Sequence, residues 1–255
     1  MKVSIIIPFY NVEDYIERSL NSALNQSYDD IEIILVNDCS TDHSLEKVEK
    51  IVASSRRLSY VKLVQHAQNR GVAAARNSGV DNSTGDYIYF LDSDDEIPVS
   101  AIADLVAAAG EGKPDIVIGN YEVIGGNKSD YISIKANCRD IEGKGAVLSS
   151  FLSKQWNDGT ANKLESRQMI VNNRIRFYEG IVHEDILWSF EISLHVWTFA
   201  FRKAKGHIRT PPIFLQCFAF PSEYRNTIGS NSCCCMVLSG KYVATCPTDI
   251  CTQCN

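Results

Sequence analysis

The sequence predicts an α/β protein in which helices flank a mostly parallel central sheet. Apolar runs of strand length alternate with segments of helical period through the first 120 residues. A cluster of polar residues follows each of these apolar runs. The 255 residues are 45% hydrophobic, which is enough to build a substantial core. Strands that alternate with helices of these lengths indicate βαβ units joined by right-handed crossovers.

The elements of the first half follow from changes in hydrophobic period. Residues 3–7 are mostly β-branched, as expected for a strand buried on both faces, and Pro8 ends the run. Asn11 is expected to cap a helix whose apolar positions extend from Val12 to Leu24. Three more strands are predicted at 31–36, 60–64 and 87–91, and two more helices at 45–52 and 72–78.

The second half has weaker periodicity. A helix from Pro98 through Val106 is expected to lead to a strand at 115–120, and residues 121–137 read as irregular β structure with a turn at 125–127. Further helices are predicted at 147–152, at 167–171 and after Glu184. Beyond about Trp197 the periodicity fades.

The net charge and the cysteine content differ between the main part of the chain and its last 54 residues. Residues 1–201 hold 19 basic and 29 acidic residues, a net charge of −10, whereas residues 202–255 hold six basic and two acidic residues, a net charge of +4. Seven of the nine cysteines lie between Cys217 and Cys254. We therefore separate residues 197–255 from the rest of the chain as an atypical cysteine-rich tail. The overall charge of −6 argues against broad binding to nucleic acid.

Targeting signals are not apparent in the sequence. It contains no run of about 18 apolar residues, and its first residues lack the apolar length and cleavage site of a signal peptide. We expect a cytoplasmic protein.

Polar clusters at 9–11, 37–42, 66–71 and 92–95 each follow a predicted strand and should line one edge of the sheet. In Asp92-Ser93-Asp94, residues i and i+2 of an extended chain would present two carboxylates on one side. Two such charges at about 4 Å repel by roughly 4 kcal/mol at an effective dielectric of about 20. A Mn²⁺ or Mg²⁺ ion would relieve that repulsion. The alternative is a solvated acidic turn that caps the helix after Pro98.

Three more polar side chains have two readings each. The carboxylate of Asp38 could bond a nucleobase N–H or a ribose hydroxyl, or it could cap the helix that starts near Thr41. Arg70 and Arg76 could face phosphate, although arginine on a short helix is more often solvated.

Four segments form a recognisable series: VSIIIPFYN (3–11), VNDCSTD (36–42), NRGVAAARNSG (69–79) and GDYIYFLDSDD (85–95). In order and content they closely resemble the successive motifs of family 2 glycosyltransferases. The resemblance extends to about Val123. It resumes at NKL (162–164), IRF (175–177) and EDILW (184–188), which look like the acceptor-side half of bacterial members.

The resemblance implies a GT-A fold, a nucleotide-diphosphate sugar donor, usually a UDP-sugar, and transfer with inversion to a saccharide or lipid-linked saccharide acceptor. Residues 1–122 would bind the nucleotide sugar, and residues 123–196 would bind the acceptor and carry the base. A role in cell-surface polysaccharide synthesis, as a metal-dependent hexosyltransferase, is what the family suggests. The donor-binding positions that it implies are Pro8, Tyr10, Asn11, Asp38, Arg70, Arg76, Asp92 and Ser93.

The same resemblance places Asp92 and Asp94 at the metal and matches Glu184-Asp185 to the site of the catalytic base, with Asp185 favoured. Inversion in one displacement needs a base on the face opposite the leaving diphosphate. The alternative is that both acids merely stabilise the N-terminus of their helix through its dipole. The neighbouring His183 is more readily a packing or hydrogen-bonding residue than a catalytic one.

Other functional classes fit less well. The residues after the first strand are not Gly-x-Gly-x-x-Gly, as a nicotinamide or flavin enzyme would require, and no phosphate-loop motif is present. A nucleotidyltransferase would have a Gly-rich basic loop near its N-terminus, and none is visible. The remaining alternative is a truncated or frameshifted family member that binds nucleotide sugar without turnover.

The tail leaves several interpretations open. Zinc binding would need two well-spaced ligand pairs, and Cys251-x-x-Cys254 is the one pair with suitable spacing. Disulfides are disfavoured in a reducing cytosol. The leading hypothesis is a shifted reading frame or a recombined gene end. The other is a lineage-specific extension that makes peripheral contact with the cytoplasmic face of the inner membrane through Phe214, Leu215, Phe218 and Phe220 beside basic residues.

Overall fold

The computed structural model describes residues 1–123, 140–156 and 159–208, and the side chains among these except those of 120–123 and 201–208. In this part of the chain the strands are β1 (Val3–Phe9), β2 (Ile31–Asn37), β3 (Val61–Gln65), β4 (Tyr87–Phe90), β5 (Ile116–Val123), β6 (Ile141–Glu142), β7 (Lys163–Ser166) and β8 (Thr198–Ile208). The helices are α1 (Ile16–Leu24), α2 (Ser44–Ser54), α3 (Val72–Asn82), α4 (Ala101–Ala109), α5 (Lys144–Leu152), α6 (Arg167–Asn172) and α7 (Glu184–His195).

The described strands form one sheet in the order β3-β2-β1-β4-β7-β5-β8-β6. Strands β1 to β4 run parallel to one another, as do β5 and β8. Strand β7 joins these two groups by pairing antiparallel with both β4 and β5, and β6 pairs antiparallel with β8. The predicted class, a mostly parallel α/β sheet flanked by helices, is confirmed.

Side chains from the central strands enter a core on each face of the sheet. Because successive residues of a strand point to opposite faces, Ile5 and Ile7 pack with α1, α2 and α4, while Ile6 packs with α3, α5, α6 and α7. Strand β1 is buried along its whole length. An apolar run without alternation is therefore what a strand covered on both faces requires.

The helix after β1 begins later than the sequence predicts. Asn11 does not cap it: α1 starts at Ile16, and Asn11 has a φ of 50°. The side-chain carbonyl of Asn11 instead accepts the backbone N–H of Thr41 at 2.8 Å. Asn11 therefore ties the loop after β1 to the loop after β2.

The structure contains three strands that the sequence does not predict, namely β6, β7 and β8. Strand β7 escapes a search for apolar runs because it carries Lys163 and Glu165, both of them buried. Strand β8 lies where the hydrophobic period fades and continues the sheet to Ile208. The division of the chain at 122 and 196 stays a prediction, and the predicted turn at 125–127 and the cysteine-rich part of the tail lie outside the described residues.

No helix in the described ranges combines the length and the apolar character needed to cross a bilayer.

A hydrogen-bonded carboxylate ties β1, β2 and the segment before β4 together. Glu32 accepts hydrogen bonds from Ser4 Oγ at 2.5 Å, from Lys2 Nζ at 2.7 Å, and from the Thr84 backbone N–H and hydroxyl at 2.6 and 2.7 Å. Burial acts to raise the pKa of Glu32, but the hydrogen bonds from Lys2, Ser4 and Thr84 outweigh it and lower the pKa to about 2. The ionised form of Glu32 therefore stabilises the fold.

The first prediction concerns the substitution Glu32→Gln. It should lower the free energy of unfolding by about 1.5 kcal/mol near neutral pH, because charged hydrogen bonds are lost. A carboxylate with a depressed pKa contributes stability above its unfolded pKa, and that contribution disappears as pH falls towards the folded value. The difference between variant and wild type should accordingly shrink as pH falls from about 5 to about 2. Urea unfolding of both proteins at several pH values measures this difference in the free energy of unfolding.

The matched control is Glu49→Gln on α2, at an exposed glutamate. It should change the free energy of unfolding by less than about 0.5 kcal/mol at any pH. An equal effect of the two substitutions would contradict the assignment of the stabilisation to Glu32.

Candidate active site

The loops that follow the parallel strands meet at one edge of the sheet, as predicted. The backbone N–H of Asp38 donates to the carbonyl of Phe9 at 3.0 Å, and the backbone N–H of His66 donates to the carbonyl of Asn37 at 2.9 Å. These bonds extend the pairing of β1, β2 and β3 beyond the strands themselves. They bring the clusters at 9–11, 37–42 and 66–71 together, as the carboxyl ends of adjacent parallel strands require.

A cavity of about 380 Å³ opens at this edge. Four of the predicted donor-binding residues line it: Pro8, Tyr10, Asp38 and Ser93. Asn11, Arg70, Arg76 and Asp92 are not among its lining residues. A larger depression of about 540 Å³ lies between α1 and the end of α2, and it contains none of the predicted site residues.

Asp38 is buried, and its carboxylate is held by the protein itself. It accepts the backbone N–H groups of Arg70 at 2.9 Å and of Gly71 at 2.7 Å. It also pairs with His66 Nδ1 at 2.6 Å, and the other ring nitrogen of His66 lies 2.8 Å from Ser78 Oγ. Asp38 does not cap the helix near Thr41. It orders the loop that leads into α3.

His66 has a position that the sequence analysis did not single out. Its side chain is 7% exposed and links Asp38 at the end of β2 to Ser78 on α3. The sequence signal that could have found it is its place directly after β3, which is equivalent to the place of Asp38 directly after β2.

The two predicted arginines lie in different surroundings. Arg70 is half-exposed, and its guanidinium bonds Glu179 at 3.1 Å. Arg76 is buried, contrary to the expectation of a solvated arginine, and its guanidinium bonds Asp92 at 2.8 Å and Glu184 at 2.7 Å.

The acidic segment after β4 forms a turn and is not extended. The backbone N–H of Asp95 donates to the carbonyl of Asp92 at 3.1 Å, and Arg18 on α1 donates to the carbonyl of Asp94 at 2.8 Å. Asp95 is buried, whereas the side chain of Asp92 is 38% exposed, so this acidic turn is in contact with solvent over only part of its length. The carboxylates nevertheless influence one another: burial and then the charge of Asp92 raise the pKa of Asp94, and burial with both neighbouring charges raises the pKa of Asp95.

These raised pKa values indicate negative charge that the surrounding protein compensates incompletely. Carboxylate oxygens are the ligands that Mg²⁺ prefers. Within the described ranges no group of three or more His, Cys, Asp or Glu side chains could hold a metal ion. The carboxylates of Asp92 and Asp94 suit an ion whose shell substrate phosphates and water complete, and their assignment to a metal stays a prediction.

The second pair of acids opens α7. Glu184 bonds Arg76, whereas Asp185 is half-buried, and one of its oxygens accepts the backbone N–H of Ile186 at 3.0 Å. Burial and the charge of Glu184 raise the pKa of Asp185, and the charge of Arg76 partly opposes them. A carboxylate whose pKa is raised is a better proton acceptor when it is ionised. His183 precedes the helix, is exposed and has a φ of 62°, with no side-chain cap bond.

A further buried acid lies beneath this pair. Glu165 on β7 accepts the indole N–H of Trp188 at 3.0 Å, and burial raises its pKa to about 7. Glu165 is not among the residues predicted from the sequence because no apolar run marks β7, although Glu165 directly follows the NKL segment at 162–164.

Comparison with known proteins agrees with this architecture. The profile of the family described as "Glycosyl transferase family 2" matches residues 4–179. The Escherichia coli K12 glycosyltransferase YibD is 31% identical over 195 residues, which cover 74% of this chain and 56% of YibD. The Bacillus subtilis 168 glycosyltransferase EpsH is 31% identical over 214 residues, which cover 82% of this chain and 59% of EpsH. The chain thus spans somewhat more than half the length of these two relatives.

Solved structures share the fold. The structure of S. aureus TarS 1-349 matches with a TM-score of 0.71 at 25% identity, over 83% of this chain and 60% of that one. The same protein in complex with UDP-GlcNAc matches with a TM-score of 0.69 at 25% identity, over 82% of this chain and 58% of that one. The GT-A form of the α/β class is therefore confirmed. Since the family profile covers more than half of its residues, the chain belongs to the family 2 glycosyltransferases.

Proposed function

We propose that this chain is an inverting glycosyltransferase that moves a hexose-type sugar from a UDP-sugar to a hydroxyl group of a saccharide or lipid-linked saccharide. The observation that carries the proposal is the position of Arg76, which bonds Asp92 at 2.8 Å and Glu184 at 2.7 Å. It brings the acidic segment after β4 beside the acidic pair of α7. A sugar donor bound at the acidic segment after β4 and a base on α7 would then lie within one site.

The donor would occupy the cavity of about 380 Å³ at the carboxyl edge of the sheet. Its lining by Pro8, Tyr10, Asp38 and Ser93 supports binding of the nucleoside there. Asn11 and Arg70 belong to the loops that follow β1 and β3, and Arg76 lies on α3. S. aureus TarS, which shares this fold at 25% identity, has been solved with UDP-GlcNAc, and this supports a UDP-sugar as the donor.

Asp92 and Asp94 are proposed to hold a divalent cation, Mn²⁺ or Mg²⁺. The ion would stabilise the negative charge of the leaving diphosphate as a Lewis acid. The raised pKa of Asp94, caused by burial and by Asp92, supports a site built for added positive charge.

Asp185 is proposed as the general base. One of its carboxylate oxygens would take the proton of the acceptor hydroxyl while that hydroxyl oxygen bonds the anomeric carbon. The bond from the anomeric carbon to the diphosphate oxygen breaks in the same step, and its electron pair leaves with the diphosphate. Glu184 is occupied by Arg76, which supports Asp185 as the acid that faces the acceptor.

The biological setting extends the same proposal. Cell-surface polysaccharide synthesis supplies hydroxyl acceptors of this kind. We place the reaction in the cytoplasm, at or near the cytoplasmic face of the membrane.

The second prediction tests the cation site through Asp94→Asn. Loss of one carboxylate should lower the rate of UDP release by about 10²-fold, because charge on the leaving diphosphate is less well stabilised. A panel of UDP-sugars with and without Mn²⁺ measures UDP release. Asp104→Asn, at an exposed aspartate on α4, is the matched control and should keep the wild-type rate. Unchanged release by Asp94→Asn would remove the metal assignment.

The third prediction tests the base through Asp185→Asn. The rate of UDP release should fall by about 10³-fold, since the amide cannot accept the proton. The affinity for UDP, measured by calorimetry, should stay within about twofold because Asp185 does not line the proposed donor cavity. Glu191→Gln on the same helix is the matched control and should behave as wild type.

Two results would contradict this assignment in different ways. Full turnover by Asp185→Asn would show that another group accepts the proton. A wild-type protein that binds UDP and yet releases none from any UDP-sugar would favour the alternative of a family member without turnover.

A further inference from the structure

The guanidinium of Arg76 joins three parts of the chain that are distant in sequence. Arg76 lies on α3, its Nη2 donates to Oδ1 of Asp92 after β4, and its Nη1 donates to Oε1 of Glu184 at the start of α7. Glu184 is 108 residues from Arg76. The side chain of Arg76 is 7% exposed and that of Glu184 is 13% exposed, so this contact is shielded from water, whereas the side chain of Asp92 is 38% exposed.

The contacts of Arg76 favour the protein's own carboxylates over a phosphate. Each terminal nitrogen already donates to an acidic side chain. The third nitrogen, Nε, is buried and has no hydrogen-bond partner among the described residues. Arg76 is also not one of the residues that line the proposed donor cavity.

A stack of aromatic rings fixes the guanidinium from below. The Cζ atom of Arg76 lies 5.2 Å from the ring centre of Phe177, and Phe177 stacks on Trp188 at 4.0 Å with an interplanar angle of 1°. Phe90 meets both rings edge-on, at 5.2 and 5.7 Å. The Trp188 indole N–H is in turn held by Glu165 at 3.0 Å.

Asp185 is subject to the charge of this arginine. The groups that act on the pKa of Asp185 are Glu184 on its own helix, which raises it, and Arg76 from α3, which lowers it, against a background of burial that raises it. If the guanidinium were removed, burial and the like charge of Glu184 would raise the pKa of Asp185 without opposition from Arg76.

We propose that Arg76 is a positioning residue that holds the first turn of α7, and with it Asp185, in register with Asp92. The inference rests on the proposed function of Asp185 as the base. The planar guanidinium can bond two carboxylates in fixed directions at once, whereas an ammonium group is a compact charge that lacks this geometry. Arg76→Lys should therefore keep the charge and lose the alignment.

The fourth prediction follows from this role. Arg76→Gln should lower kcat for UDP release by about 30-fold or more, with the affinity for UDP within about threefold of wild type. The acidic limb of the kcat–pH profile should move to higher pH, since the pKa of Asp185 rises without its cation. Arg76→Lys should lower kcat by a similar factor, while the acidic limb of its kcat–pH profile stays near that of wild type.

A readout independent of turnover makes the two proposals separable. A ¹³C NMR titration of the Asp185 carboxyl should show its pKa higher in Arg76→Gln than in wild type by about half a pH unit or more. An unchanged titration would overturn the positioning role whether or not the protein is active. A higher Asp185 pKa in Arg76→Gln, together with a wild-type protein that releases no UDP, would support the positioning of Asp185 and contradict only the proposed reaction.

The matched control is Arg57→Gln. Arg57 also forms an ion pair, with Asp29 at 2.9 Å, but it lines the depression between α1 and the end of α2, which contains none of the predicted site residues. This variant should keep the wild-type kcat and titration. If Arg76→Gln does not fold, Glu184→Gln weakens the same contact from its other side and should lower kcat at unchanged UDP affinity. Wild-type kcat in Glu184→Gln, or a loss of UDP affinity as large as the loss of kcat in Arg76→Gln, would overturn the inference.

Discussion

The ion pairs of the buried guanidinium of Arg76 hold the acidic segment after β4 and the acidic pair of α7 beside each other. A buried charge without partners costs several kcal/mol, so Arg76 is stable in the interior only with the two carboxylates that bond it. Asp92 belongs to the donor-side half of the sequence and Glu184 to the second half. Because both carboxylates bond the same guanidinium, Asp92 and Glu184 must lie on either side of Arg76. The strand order makes this meeting possible, because β7 inserts next to β4 and brings α7 against the same face as α3.

The parallel strands β1, β2 and β3 impose the second constraint. Their carboxyl ends coincide, so the loops that follow them bond one another and enclose the cavity lined by Pro8, Tyr10 and Asp38. Around this edge the protein keeps Asp94, Asp95 and Asp185 partly or fully buried, and burial is the largest cause of their raised pKa values. Acids held in this way destabilise the fold, and such clusters are typical of functional sites.

The sequence predicted most of the donor-side architecture, because apolar period and polar clusters at strand ends are local signals. Strand β1, its neighbours and the meeting of their loops follow from those signals. Strand β7 could not be predicted in the same way, since its buried Lys163 and Glu165 are charged and are accommodated by partners distant in sequence, Ser189 and Trp188 among them. For the same reason the sequence suggested phosphate for Arg76: the carboxylate of Glu184 lies 108 residues away, and no local pattern reveals that pairing. The turn of Asp92 to Asp95 depends likewise on Arg18 from another helix.

Transfer is proposed to occur in one displacement, with Asp185 on the face of the sugar opposite the leaving diphosphate. The configuration of the first product tests it most directly. Proton NMR can follow the sugar released from an α-linked UDP-sugar by the wild-type protein with Mn²⁺, before mutarotation mixes the anomers. If transfer inverts the configuration, the β anomer should appear first. Initial appearance of the α anomer would require a different arrangement of base and leaving group and would contradict it.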